Sequence, residues 1–221
     1  LTVVLFLAGT AVFAASDFFA KGEALFVQNK PRDAQPLLES ALNDDPSNEK
    51  IYLYLGIIYQ QLGDTQKAID VLKRGLDIAT QHKDLLYYNM GNDFYFRKDF
   101  TTAEQMYTSA LDANRSLNDA YLNRANTRLQ LKMLDGALAD YSLYVQLAPN
   151  DPQRPNIEKV MALLRQVQTD QEKTRQLELA RQQALLNDVQ NSLSKAGDDT
   201  RNLTVDSVRG QSDPVDVDIK D

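Results

Sequence analysis

Side chains suited to acid–base or metal chemistry are few and scattered in this chain. Its single histidine, His82, has only the carboxylates of Asp77 and Asp84 close to it in sequence. A histidine that acts as a general base or a metal ligand needs partners that orient it or share the ligation. Asp77 is typical of a helix surface and Asp84 of a helix start, so neither is suited to that role. We therefore interpret His82 as a solvated loop residue.

Motifs that bind phosphate, zinc or an acyl substrate are also absent from the sequence. It has no glycine-rich phosphate loop, no HExxH pair and no GxSxG turn. The lack of cysteine excludes disulfides, thiolate catalysis and cysteine-ligated metals. A net charge of −7 argues against a nucleic-acid partner and against adsorption to an anionic membrane. We predict a protein that is not an enzyme, with no catalytic residue, no metal site and no cofactor.

Small residues recur along the chain at a spacing that identifies its structural elements. The intervals are 34, 35 and 34 residues, at Gly22, Gly56, Gly91 and Ala125. Twelve residues after each of them comes an alanine: Ala34, Ala68, Ala103 and Ala137. Four residues before each of the small residues in the first set comes an aromatic residue: Phe18, Tyr52, Tyr87 and Tyr121. A period of this length is typical of a repeat protein in which each unit is one pair of helices.

The helix pairs explain why small residues recur. A glycine on the first helix and an alanine on the second fit where two antiparallel helices cross closely, while larger residues would separate them. Turn-forming residues separate the two helices of each unit: Asn29-Lys30-Pro31, Gly63-Asp64, Lys98-Asp99 and Leu134-Asp135-Gly136. The pattern of aromatic, small and alanine positions resembles the tetratricopeptide repeat. The resemblance implies an all-α, right-handed superhelical solenoid of helix–turn–helix repeats with a C-terminal capping or extended helix.

The domain organisation follows from the repeat register and from changes in composition. We expect four repeats over residues 16–149, at about 16–46, 49–82, 84–117 and 118–149. After a proline cluster, an apolar stripe predicts a capping and extended helix over 153–195, which must leave the solenoid or break at the wholly polar stretch 168–176. The acidic, aperiodic segment 196–221 predicts a disordered tail.

The first fifteen residues are an uncharged apolar run that ends in small residues. Such a run is typical of the apolar core and cleavage region of a secretory signal peptide, here cleaved near Ala15. It is shorter than the ~20 residues that span a bilayer, although an uncleaved membrane anchor remains the alternative. We expect an exported, periplasmic protein that meets a membrane only through this segment.

The resemblance also implies which residues would face a partner, because the first helix of each repeat lines the concave groove of such a solenoid. In the third and fourth repeats these positions hold amides and phenols: Tyr88, Asn89, Asn92, Tyr95, Asn123 and Asn126. In the first two they form an apolar floor: Phe26, Leu53 and Ile57. An asparagine amide can both donate to and accept from an extended peptide backbone. The alternative is that these asparagines bond only to neighbouring helices.

Three functions are compatible with this pattern. The first is an exported scaffold or adaptor that holds a protein or peptide partner in its groove. The second is a binder of a hydrophobic small ligand that serves a transport or envelope system. The third is a structural spacer with an empty groove. A clamp for a chain-terminal carboxylate is not expected, since the inner positions that would need Lys or Arg hold Phe19, Tyr54, Leu85, Asn89 and Asn123. The sequence does not indicate an oligomeric state.

Overall fold

The computed structural model of the chain describes the backbone of residues 8–209 and the side chains of residues 17–196. Within this part the protein consists of nine α-helices and no strands, which confirms the predicted all-α solenoid. Eight helices form four antiparallel pairs: α1 (Ala8–Val27) with α2 (Pro31–Asp44), α3 (Glu49–Gln61) with α4 (Thr65–Ile78), α5 (Lys83–Phe96) with α6 (Phe100–Ala113), and α7 (Asn118–Gln130) with α8 (Leu134–Leu147). The ninth helix, α9, spans Arg154–Arg209.

The recurring small residues lie where the two helices of a pair meet. A Cβ atom added to Gly22 would lie 2.7 Å from Cγ of Leu38, and one added to Gly91 would lie 2.6 Å from Cε1 of Tyr107. The alanines of the second helices are fully buried: Ala34, Ala68, Ala103 and Ala137. The small residue therefore makes room for a large side chain four residues beyond the buried alanine, a contact that the spacing alone did not identify.

The turns inside the four repeats share one backbone conformation. Seven residues after each small residue the chain has a positive φ, at Asn29 (56°), Gly63 (84°), Lys98 (62°) and Lys132 (60°). In the second and third repeats the next residue is an aspartate, whose carboxylate caps the following helix through Lys67 N or Thr102 N at 3.2 Å.

One predicted turn is misplaced. The sequence indicates Leu134-Asp135-Gly136 as the fourth turn, but these residues form the first turn of α8. The helix break lies at residues 131–133, where Lys132 adopts the left-handed conformation that glycine adopts in the second repeat. Glycine suggested the wrong position because a lysine can occupy this conformation when the flanking helices fix it.

The start of α9 closes the helix stack, whose described part spans residues 8–165. Ile157, Met161 and Leu164 are buried in one apolar cluster with residues of α7 and α8, among them Ala125 and Tyr141. This is the position for which the sequence predicts a capping helix. A second cluster joins the first three repeats around Leu38, Ile51, Ile58, Leu72 and Leu86.

From residue 166 onward the described chain, which is the rest of α9, forms a separate unit. Of the two alternatives that the sequence left open at 168–176, the break does not occur, because α9 continues through this stretch to Arg209. Polar pairs one helical turn apart support the helix there, including Gln166 with Asp170 and Arg175 with Glu172. The predicted disordered tail, 196–221, overlaps the end of this helix, and residues 210–221 lie outside the described part. The apolar stripe at Leu177, Leu185 and Leu193 is exposed.

The amino-terminal segment is described only in part. The helix α1 begins at Ala8 and runs through the predicted cleavage site into the first repeat. Residues 1–7, and the side chains of 8–16, lie outside the described part, so the signal peptide remains a prediction. Among the described residues, no helix combines the length and the hydropathy needed to cross a membrane.

Candidate functional site

A cavity of about 310 Å³ opens between the first helices of the second, third and fourth repeats. Its walls come from α3, α5, α6 and α7, and they are mostly amides and aromatic rings: Gln60, Asn92, Tyr95, Phe96, Tyr107, Asn123 and Asn126. We call this feature the amide cavity. It contains four of the nine predicted site residues, namely Asn92, Tyr95, Asn123 and Asn126. It contains no charged side chain.

The side-chain oxygens of two of these asparagines accept hydrogen bonds from tyrosines of the second helices. The Tyr107 hydroxyl donates to Oδ1 of Asn92 at 2.8 Å, and the Tyr141 hydroxyl donates to Oδ1 of Asn126 at 2.6 Å. The two bonds are equivalent by register, because each joins residues 15 positions apart in its own repeat. In the first two repeats the tyrosine position holds Leu38 or Leu72, so this bond is specific to the third and fourth repeats.

The other two asparagines make hydrogen bonds with protein through their amide nitrogens. Asn123 Nδ2 donates to Oδ1 of Asn92 at 2.9 Å and to the Tyr88 hydroxyl at 3.1 Å, which ties α7 to α5. Asn89 Nδ2 donates to the carbonyl oxygen of Leu85 in its own helix at 2.7 Å. The contacts of Asn123 are the interhelical role that the sequence left open as an alternative, whereas the bond of Asn89 stays within α5. Asn126 differs, since within the described residues its amide nitrogen makes no hydrogen bond.

The tyrosines of this network are neutral donors at physiological pH. Burial raises the pKa of Tyr141 to about 12. Burial also raises the pKa of Tyr107 and of Tyr88, and hydrogen bonds from asparagine side chains oppose the shift only in part. A protonated phenol must use an acceptor, and the asparagine oxygens supply it. The direction of the two tyrosine–asparagine bonds is therefore fixed, and Asn92 and Asn126 keep N–H groups rather than oxygens for a ligand.

The apolar end of the groove lies at the first two repeats. Phe26 stacks on Tyr54 with ring centroids 4.6 Å apart, and Phe19 stacks on the same ring at 6.2 Å. The Tyr54 hydroxyl donates to Oε1 of Glu23 at 2.8 Å. Leu53 is only 5% exposed, and Ile57 packs against the same core cluster, so both contribute to packing and leave little surface for a ligand.

A buried carboxylate that the sequence analysis missed lies next to the amide cavity. Asp93 is fully buried, and within the described residues no hydrogen-bond partner reaches either of its oxygens. Burial raises the pKa of Asp93 to about 7, and the nearby Gln60 side chain offsets only part of that shift. The equivalent positions hold Ile58 and Thr127. An aspartate at a register position that holds an apolar or hydroxyl residue in other repeats was the signal in the sequence that could have revealed this buried carboxylate.

A buried ion-pair network behind the groove was also missed. Arg124 binds the Asp140 carboxylate through two hydrogen bonds of 2.7 and 2.9 Å. Arg128 forms one ion pair with Asp140 at 2.8 Å and a second with Glu104 at 2.6 Å. It links α6, α7 and α8. By register, Arg124 and Asp140 replace apolar pairs such as Leu55 with Val71. Two oppositely charged residues at register positions that are apolar in another repeat were a signal in the sequence that could have revealed this ion-pair network.

The structure corrects the interpretation of His82 as a solvated residue. Oε1 of Glu49 accepts hydrogen bonds from Thr80 N and Oγ1, both at 2.6 Å. Oε2 of Glu49 accepts from His82 N at 3.0 Å and lies 3.1 Å from His82 Nδ1. Burial raises the pKa of Glu49, but these hydrogen bonds outweigh it and hold the pKa well below the usual value. The histidine thus belongs to a loop that one carboxylate pins to α3. In the described part of the chain no cluster of His, Asp and Glu could hold a metal ion.

Comparisons with known proteins agree with this architecture. Sequence models of the Tetratricopeptide repeat match residues 25–88 and 88–152, which together make up more than half of the chain. Human RNA polymerase II-associated protein 3 is 29% identical over 118 residues, a match that covers 53% of this chain but only 18% of that protein.

Two solved structures are similar in fold at low sequence identity. The crystal structure of the MamA protein has a TM-score of 0.61 and 19% identity, and the match covers 72% of this chain and 87% of that one. The crystal structure of YrrB has a TM-score of 0.57 and 16% identity, and the match covers 66% of this chain and 74% of that one. Likenesses at this level of identity show the fold alone.

Proposed function

The chain belongs to the tetratricopeptide-repeat family of protein-interaction scaffolds, and we propose that it holds an extended segment of a partner protein along its concave groove. The observation that carries the proposal is the amide cavity. It spans three repeats and presents asparagine N–H groups whose companion oxygens are already bonded to tyrosines. Asn126 has its whole amino group available to an acceptor.

Backbone carbonyl oxygens are the acceptors that fit this cavity. An extended chain offers carbonyls at regular intervals, and neutral amide donors bind them without selecting a side chain. Successive first helices place Asn92 and Asn126 one repeat apart on the same wall. Phe96 is 73% exposed at the rim, where it can cover an apolar side chain of the bound segment. YrrB, which shares the fold, is described as having an unusual peptide-binding site.

A hydrophobic small ligand fits the cavity less well. Small-molecule sites enclose most of their ligand and are lined mainly by apolar side chains. The amide cavity has four amide side chains among its seven lining residues, and Leu53 and Ile57 contribute to packing instead. This composition favours a peptide over a hydrophobic small molecule.

Nuclear magnetic resonance tests the proposal directly. Peptides that bind the protein are first selected from a random 12-residue display library, and one is titrated into ¹⁵N-labelled protein. We expect the side-chain amide resonances of Asn92 and Asn126 to shift, while that of Asn43, on α2 in a separate cleft, stays in place. Shifts confined to residues outside the amide cavity, or failure of the library to yield any binder, would reject the groove as the peptide site.

We also propose that the scaffold works after export. The support is the uncharged apolar run before Asp17 and the small residues that end it. Cleavage after Ala15 would keep Phe19, Glu23 and the rest of the first repeat. In cells that express the full-length precursor, the mature amino terminus should map between Ala15 and Asp17 by mass spectrometry. An intact amino terminus in the cytosolic fraction would contradict export, and one in the membrane fraction would favour the anchor.

A further inference from the structure

Glu23 is the one charged residue among the groove-facing positions of the first helices. It directly follows Gly22, as Asn92 follows Gly91 and Asn126 follows Ala125, so the repeat register places it on the same concave wall. The remaining positions on this wall are aromatic, aliphatic or amide. The first repeat therefore differs from the others by presenting a carboxylate to the groove.

This carboxylate is hydrogen-bonded to one member of a cluster of three stacked aromatic rings. Tyr54 stacks with both Phe19 and Phe26, at interplanar angles of 6° and 23°, and its hydroxyl donates to Oε1 of Glu23 at 2.8 Å. Among the side chains that the structure describes, no lysine or arginine forms an ion pair with Glu23. Lys50 lines a cleft with Phe19, Glu49 and His82, and among the described side chains it forms no ion pair with Glu23.

A second glutamate–tyrosine pair in the same two repeats has a cation beside it, which the pair of Glu23 and Tyr54 lacks among the described side chains. Glu39 accepts the Tyr59 hydroxyl at 2.7 Å, and there the Lys67 ammonium lies over the tyrosine ring at 5.7 Å from its centroid. The chain thus supplies its own cation to that pair. It supplies none to Glu23 and Tyr54, although their arrangement of carboxylate and ring is of the same kind.

A carboxylate beside aromatic faces suits a lysine ammonium or an arginine guanidinium. The cation can pair with the free Oε2 of Glu23 and lie against a ring, and both contacts strengthen when they are partly shielded from water. An acidic side chain would meet only like charge. We propose that this end of the groove is a subsite for a basic side chain, arginine or lysine, of the bound segment. The subsite rests on the proposed function, since it belongs to the same groove.

Selection of peptides by the wild type and by two variants tests the subsite. A random 12-residue display library is panned against the wild type, Glu23→Gln, and the control Glu39→Gln, which weakens the matching bond to Tyr59. We expect peptides selected by the wild type and by the control to be enriched in arginine or lysine at one position. Peptides selected by Glu23→Gln should lose that enrichment and still bind.

The affinity of one selected peptide then measures the coupling. Replacing its basic residue with norleucine should weaken binding to the wild type by roughly tenfold, and binding to Glu23→Gln by much less. The variant Tyr54→Phe loses the hydrogen bond to Glu23 but keeps the carboxylate and the aromatic rings, so it should keep the preference for a basic residue. It controls for the possibility that Glu23→Gln loses the preference only because that hydrogen bond, and with it the local fold, is disturbed.

The outcomes separate the two proposals. No basic enrichment in wild-type peptides, or the same enrichment with Glu23→Gln, would overturn the subsite and leave the peptide groove intact. If the wild type selects no peptide at all, the proposed function fails and the subsite fails with it.

Discussion

At the scale of single residues, three side chains distinguish the third repeat and its neighbours from a generic repeat. Tyr107 and Tyr141 turn two groove asparagines into pure donors, and Asp93 places an unpaired carboxylate in the core. The Asn92 oxygen has two partners inside the protein, so Asn92→Ala would leave Tyr107 without its acceptor. Truncation at Asn92 therefore mixes a loss of stability with any loss of binding, whereas Asn126 allows a cleaner substitution.

The buried Asp93 predicts a pH-dependent stability. Its native pKa of about 7 lies above the value of ~3.9 for an unfolded chain, so the native state holds the extra proton between these values. Stability should therefore fall as the pH rises from about 4 to 7, because deprotonation leaves a bare charge in the core. We expect the variant Asp93→Thr to melt at a higher temperature than the wild type at pH 8, with a smaller difference at pH 5.

The choice of threonine follows from the fourth repeat. At the equivalent position Thr127 is fully buried and donates its hydroxyl to the Asn123 carbonyl at 2.7 Å, so the site can satisfy a hydroxyl within its own helix. Thermal unfolding of both proteins between pH 5 and 8 provides the check. Parallel curves for the two proteins would mean that Asp93 does not titrate in this range.

At the scale of elements, the four intrarepeat turns depend on one left-handed residue each. Only the second repeat uses glycine there, and a Cβ on Gly63 would meet no atom within 4 Å. Steric crowding by neighbours is thus absent, and the cost of a side chain comes from the backbone conformation itself. Residues such as Lys98 and Lys132 bear that cost in the other turns, at roughly 1–2 kcal/mol each.

Exchanging residues at these turns tests the common conformation. Gly63→Ala should lower the free energy of unfolding by about 1 kcal/mol, and Lys132→Gly should raise it by a few tenths to about 1 kcal/mol after the added entropy of the unfolded chain. Lys83→Gly, at an exposed helix position, is the control and should not stabilise the protein. Urea unfolding measures all three, and a neutral Gly63→Ala would show that the turn relaxes to another conformation.

At the scale of the whole molecule, the sequence predicted the repeat register because close helix crossings impose it on small residues. The four repeats and their helix pairs follow from the spacing of Gly22, Gly56, Gly91 and Ala125, whereas the concave positions are those that the tetratricopeptide resemblance implies. The hydrogen-bond partners of the asparagines did not follow, because they depend on which atoms of Tyr107 and Tyr141 reach across a helix pair. The sequence left open whether the helix breaks at 168–176, because it did not show that polar pairs within a helix can replace an apolar face.

Peptide binding, as proposed, depends on amide N–H groups in the groove that bind the carbonyl groups of a partner segment. The most direct test is the affinity of a library-selected peptide for Asn126→Asp, measured by calorimetry beside the melting temperature. Aspartate keeps the size of the side chain and the acceptor for Tyr141, but it replaces the N–H donor with an oxygen. Asn43→Asp makes the same change of charge on α2, away from the groove.

We predict that Asn126→Asp weakens peptide binding by roughly 10- to 150-fold, since a lost hydrogen bond and a facing charge together amount to about 1.5–3 kcal/mol. Its melting temperature should stay close to that of the wild type, and Asn43→Asp should change neither quantity. If Asn126→Asp bound the peptide with wild-type affinity, the proposal would be contradicted, because the peptide would then be bound without the Asn126 N–H donor.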